Sequence, residues 1–214
     1  MNKLSKRHLW EWFKRHQHEY LTLHNKSKKE ASYWLNEIHT HLRAYFKFLG
    51  YTMEWDNKKN TGTLTITVNG KATHFKKVHD LVSKAPAIPG WTIQALQPAR
   101  PIDFLLEQEM EETGIDPREL FYAFCSDNPT EGFLHIYHPL CTDDNAHELL
   151  DLARKAIYNI LGEQTYGTVI TGLDVFNLSE AHTDEIQPLE QLATTIDERK
   201  SGSMMIDGNG KLIV

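Results

Sequence analysis

The hydrophobic period of this chain changes at Gly50, and that change limits the folds open to it more than any other feature. Before Gly50, Ala31, Trp34, Leu35, Ile38, Leu42, Tyr45, Phe46 and Leu49 recur at spacings of three and four, one wide apolar stripe along a helix. After it, Tyr51, Met53 and Trp55 alternate with Thr52, Glu54 and Asp56, the period of a strand with one polar face. Gly50 stands where the helix is expected to end. Upstream, Leu9, Trp12, Phe13, His16, Tyr20 and Leu23 form a similar stripe over Lys6 to His24. Asn25 and Ser27 supply the break and the next cap, so residues 1–50 read as a helical hairpin.

A polar turn, Asn57 to Gly62, leads to Leu64, Ile66 and Val68 in a second strand, and Phe75, Val78, Val82 and Ala85 mark a helix. Pro86 and Pro89 cannot continue that helix, and Ile88-Pro89-Gly90-Trp91 suits a type II turn, which sends Trp91, Ile93 and Ala95 into a third strand. The second half repeats this order. Strands at Glu119 to Ser126 and Gly132 to His138 precede a helix from Ala146 to Leu161, and "YGTVITGLDVFNL" supplies a strand after a stop at Gly162. The expected fold is α+β: a helical hairpin (1–50), a β-β-α-β unit (51–100), a connecting helix (101–118), a second β-β-α-β unit (119–178) and a C-terminal helix and tail (179–214). These pack as one compact body, and the two units form a pseudo-repeat of element order. A right-handed crossover would make the second and third strands of each unit parallel. The tail flanks Gly208 and Gly210 with apolar residues, as in a small hairpin.

At the level of family, "AP-x-x-PGW" (Ala85-Pro86 to Trp91), "A-x-x-x-x-LGE" (Ala156 to Glu163) and "PL-x-x-L" (Pro188 to Leu192) occur in this order. In these motifs the stretch from Gly50 to Leu192 resembles a group of bacterial proteins of unknown function. The resemblance implies no activity, cofactor or catalytic residue. The chain has "QTYGTVITGLDVF" after the LGE.

Charge divides the chain. Residues 1–100 hold 17 Lys and Arg against 7 Asp and Glu, while residues 101–214 hold 6 against 22. A basic half can mark a nucleic-acid or acidic-partner surface, or complementary halves can face each other. The basic start "MNKLSKRHLWEWFKRHQ" lacks the apolar centre of a signal peptide, and no run approaches the ~20 apolar residues of a membrane span, so a cytoplasmic location is expected. Cys125 and Cys141 make no disulfide framework and are expected to be reduced.

No glycine-rich phosphate loop, dinucleotide fingerprint or nucleophile elbow is present. Cys125, His135, His138, Cys141, Asp143, Asp144 and His147 form one local cluster of zinc-compatible types, and His138, Cys141 and His147 could converge where a strand gives way to a helix. Against this, the odd spacing of His135 and His138 puts them on opposite sides of a strand. Cys125 also reads as a small hydrophobe among aromatic residues, and Asp143, Asp144 and Asn145 read as turn and cap residues. No metal or cofactor is expected. His16 falls on an apolar stripe, where a hydrogen-bonded core histidine is expected, and the paired His16 with His18 and His39 with His41 diverge too far on a helix to clasp one ion. Asp103, Glu107 and Glu111 lie a turn apart on a solvated helix face. Lys3, Lys6, Arg7, Lys14, Arg15, Lys26, Lys28 and Lys29 interleave with Trp10, Trp12 and Tyr20, a pattern open to nucleic acid although the aromatics follow the core stripe. Thr52, Glu54, Thr65, Thr67, Thr92 and Gln94 line a sheet face that the following helix does not cover.

The sequence therefore leads to a non-enzymatic cytosolic interaction or regulatory protein with a protein partner. The alternatives are an enzyme of unfamiliar type with a site between the two β-β-α-β units, or a nucleic-acid adaptor acting through the basic helices. Catalytic residues and oligomeric state stay open.

Overall fold

The computed structural model describes residues 5–56, 58–126, 132–181, 186–202, 205–206 and 212–213. The architecture is α+β, and the chain divides into two compact units, residues 1–97 and 98–214, each with its own hydrophobic core.

In the first unit, α1 (Lys6–Leu21) starts at Ser5, whose hydroxyl accepts from the His8 N–H. α2 (Lys28–Tyr45) starts at a capping box in which Ser27 and Glu30 satisfy each other's backbone donors. α2 ends at Tyr45, earlier than the stripe implied. Phe46 is extended (φ −152°), and its ring packs edge-on against Phe48 and His74, so a tertiary contact ends the helix before Gly50 does. β1 (Gly50–Asp56) and β2 (Thr61–Thr67) pair antiparallel, with Met53 opposite Leu64. α3 (Phe75–Val82) follows, and Pro89-Gly90 forms the expected turn: the Trp91 N–H donates to the Ile88 carbonyl at 3.0 Å, and Gly90 has φ 78°, which a side chain would resist. β3 (Trp91–Ala95) then pairs parallel to β2, giving the order β1-β2-β3. Leu64, Ile66 and Val68 pack against Leu9, Phe13, Ile38, Leu42, Val78 and Leu81 from the three helices.

The second unit begins with α4 (Asp103–Thr113), and its strands β4 (Phe121–Phe124) and β5 (Gly132–His138) pair antiparallel. Ahead of β4, residues Pro117–Glu119 form a 3-10 turn capped by Asp116, so the strand starts later than its expected Glu119. α5 (Ala146–Val169) leads to β6 (Ile170–Asn177), parallel to β5. Both units thus run β-β-α-β with matching strand directions. α5 corrects the expected stop at Gly162. Gly162 (φ 67°, ψ 163°) kinks the helix, but the chain resumes a helical path to Val169, with Tyr166 packed on Tyr158 and on the core. The residues from Tyr166 to Val169, expected to be strand, are therefore helical. A short β7 (Gln187–Pro188) extends the sheet to the order β6-β5-β4-β7, and α6 (Leu192–Gly202) adds Leu192 and Ile196 to the core. In the tail, β8 (Met205–Ile206) and β9 (Leu212–Ile213) pair antiparallel as expected, and Gly208 and Gly210 lie outside the described residues. Among the described residues no helix is long and apolar enough to cross a membrane.

Candidate anion-binding groove

The first turns of α1 carry Lys6, Arg7, Glu11 and Lys14 on the side that meets the end of α3. The sequence folds this way because Trp10, between them, is a core residue: it is 1% exposed, and its indole N–H donates to the Leu81 carbonyl at 3.0 Å. Burying Trp10 in the unit core turns its charged neighbours toward the segment after α3. There Lys84 and Pro86 complete a groove of about 530 Å³ lined by Lys6, Arg7, Trp10, Glu11, Lys14, Lys84 and Pro86. Four cations and one carboxylate face the same space.

Two of the cations are already paired. Lys6 bonds Asp80 of α3, which holds that carboxyl below its usual range, and Arg7 bonds Glu11 at 2.7 Å with the same effect on Glu11. Among the described residues Lys14 and Lys84 make no ion pair. With Lys6 and Arg7 paired inside the protein and Lys14 and Lys84 beside them and Pro86, the groove suits an anionic ligand that brings several carboxylates or phosphates. Solvated single pairs contribute little, so such a ligand must engage the cluster together and be sensitive to salt.

The aromatic residues interleaved with these charges do not form a stacking surface. Tyr20 is fully buried, and its hydroxyl donates to the Trp34 carbonyl at 2.9 Å, while Trp12 stacks on His41 at 3.9 Å between ring centroids. Lys3 lies outside the described residues. His16 is half-buried and corrects its expectation: it sits between Trp12 and Trp34, at 5.5 and 5.3 Å, and its side chain makes no hydrogen bond to a described residue. Its ring nitrogens are not enclosed in the core, so a protein partner is not demanded of them.

The other sequence candidates are dispersed. Thr65 and Thr67 are buried, Gln94 donates to the Thr65 hydroxyl at 2.8 Å, and Gln97 donates to that of Thr52, so much of the polar sheet face satisfies itself while Glu54 and Thr92 are exposed. Asp103 and Glu111 are exposed on α4, and the Glu107 side chain lies outside the described residues. Among the described side chains of this helix the buried carboxylate is Glu109, one the sequence did not single out.

The cysteine and histidine cluster falls on both sides of its sheet. His135 packs on Phe176 at 4.8 Å on one face, while His138, 2% exposed, points to the core side. His147 is exposed beside Asp151, and no group of three His, Cys, Asp or Glu side chains is placed to hold a metal ion among the described residues. Cys125 is exposed rather than packed among aromatics, because it follows the last residue of β4; its thiol is pushed up by local burial and then by Asp174. Asn145 precedes α5 but does not cap it. Its carbonyl oxygen accepts from the Thr142 N–H, and its amide donates to the Leu140 carbonyl, both at 2.8 Å, so it ties the preceding loop instead.

Fold and groove together define an α+β protein of two β-β-α-β units with a basic anion-binding candidate on the first. Comparison with protein-family models, curated proteins and solved structures gives no match, so no role is carried over from a relative.

Proposed function

We propose that this chain is a cytosolic, non-enzymatic interaction protein whose first unit docks an acidic segment of a protein partner. The observation that carries the reading is the groove, where Lys14 and Lys84, without ion pairs among the described residues, stand beside Lys6 and Arg7. The wider charge division supports it, since a basic first half steers acidic surfaces toward this face. The burial of Trp10 and Tyr20 favours a protein over single-stranded nucleic acid, which gains much of its affinity from open aromatic platforms.

The test is a fluorescence-anisotropy titration with a labelled oligoglutamate peptide and a single-stranded oligonucleotide of equal charge. Salt-sensitive peptide binding, weakened about tenfold or more by the double substitution Lys14→Glu and Lys84→Glu, is expected. Absence of peptide binding at low salt, or binding untouched by the substitutions, would overturn the reading, and tighter binding of the oligonucleotide would replace it with the adaptor alternative.

A further inference from the structure

In the second unit His138 ends β5 with an arrangement that distinguishes its two protonation states. Its Nδ1 accepts a hydrogen bond from the Leu140 N–H at 3.2 Å. An accepting Nδ1 carries no proton, so the neutral ring must hold its proton on Nε2. That Nε2 is buried and has no hydrogen-bond partner among the described residues, and the Glu119 carboxylate stands 3.6 Å away, on a side chain that is 59% exposed. A buried donor without an acceptor is costly, and it lies just outside bonding range of a group with freedom to approach.

We propose that His138 is a proton-operated latch on the loop after β5: neutral, it holds the Leu140 backbone, and protonated, it releases Leu140 and pairs with Glu119. A second proton can enter only at Nδ1, where it faces the Leu140 N–H and removes the acceptor. The imidazolium then turns Nε2–H toward Glu119, and the buried donor gains its partner. Leu140, already 61% exposed, sits at the tip of the freed segment. The remaining ties limit the movement to that segment: the Cys141 N–H donates to the His138 carbonyl at 3.1 Å, Asn177 donates to the Pro139 and Cys141 carbonyls at 3.1 and 2.7 Å, and Asn145 holds the Leu140 carbonyl.

The groups that bear on the latch come from each neighbouring element. Glu119 favours the charged ring. Burial opposes it more strongly and holds the His138 pKa below its ordinary value. Within the loop, Cys141 is pushed up by burial and then by Glu180 and Asp143, so it stays a neutral thiol while His138 titrates. The latch therefore opens below ordinary histidine pH.

The experiment follows the Leu140 amide exchange rate, corrected for its intrinsic rate, and the His138 ring resonances by NMR on the full chain from about pH 8 to about pH 5. Leu140 protection is expected to fall about five- to tenfold, the worth of one hydrogen bond, with the same midpoint as the ring. Glu119→Gln moves both midpoints to lower pH. His138→Asn, whose side-chain oxygen can accept from the same N–H without titrating, makes protection independent of pH. Protection that stays constant through the His138 titration, or a change that survives in His138→Asn, would overturn the latch. If that variant does not fold, the two wild-type midpoints decide.

Discussion

The ammonium of Lys155 lies 3.0 and 3.2 Å from the two carboxylate oxygens of Glu109, whose side chain is 2% exposed. The pair joins α4 to α5 within the second unit, and the Glu109 hydrogen bond is the main cause of the raised Lys155 pKa. Removing the lysine leaves a desolvated carboxylate. Lys155→Met is expected to cost about 1–3 kcal/mol, below the cost for a fully buried pair because the lysine is half in solvent. Adding Glu109→Gln should recover part of the loss. Urea unfolding followed by far-UV circular dichroism checks both, and a double variant no more stable than the single would refute the coupling.

Asn159 makes a second, neutral tie in the same unit. Its amide donates to the Pro101 carbonyl at 2.9 Å, and its own carbonyl accepts from the Arg100 N–H at 2.8 Å. Asn159→Leu keeps the backbone bond and removes the side-chain one, leaving the Pro101 carbonyl with the Phe104 N–H as its donor at 3.0 Å. A loss of about 0.5–1.5 kcal/mol is expected by urea unfolding, with Arg100 amide protection largely kept.

Two glycines, Gly132 at the start of β5 and Gly172 within β6, should respond very differently to alanine. A methyl on Gly132 would lie 1.9 Å from the Val169 carbonyl oxygen, whereas one on Gly172 would meet the Phe133 ring at 2.4 Å. Backbone at the start of a strand pair cannot move aside, but a ring can rotate. Gly132→Ala is expected to cost more than about 3 kcal/mol and Gly172→Ala about 1–2 kcal/mol, measured as thermal unfolding of each variant.

In the first unit, burial holds the His41 pKa below its ordinary value; His8 and His16 act in the same direction, and Glu37 opposes them. A depressed histidine makes the unfolded chain bind the proton first. The stability that neutral His41 contributes to this unit is therefore full above about pH 6.5 and is lost as the pH falls from there toward the folded value. All five tryptophans, at 10, 12, 34, 55 and 91, lie in the first unit, so their fluorescence reports its unfolding alone. His41→Phe, which keeps a ring against Trp12, should flatten this acid-side slope. An unchanged slope would refute the assignment.

Elements with a local cause were legible in the sequence. The turn at Ile88 to Trp91 needs only Pro89 and Gly90, and alternation correctly placed His135 and His138 on opposite faces. The helix kink was hidden because a glycine that ends a helix and one that bends it look alike until Tyr166 finds its packing partner. β7 left no signal, since two residues including a proline join only a sheet edge. The groove was half visible: Lys6, Arg7 and Lys14 share α1, but Lys84 arrives from another element. In "EQEMEE" nothing marks Glu109 as the buried carboxylate, because its distinction is conferred by Lys155.

Parallel pairing of β2 with β3 also bears on how the chain survives its own synthesis. Strand β2 presents "TGTLTIT", uncharged and rich in β-branched residues, and one of its edges waits until residues 91–95 have left the ribosome. During that interval the nascent chain exposes a template for pairing with other chains. The stretch translated meanwhile carries Lys71, Lys76, Lys77 and Lys84, so like-charge repulsion between nascent chains guards the edge until its own third strand arrives.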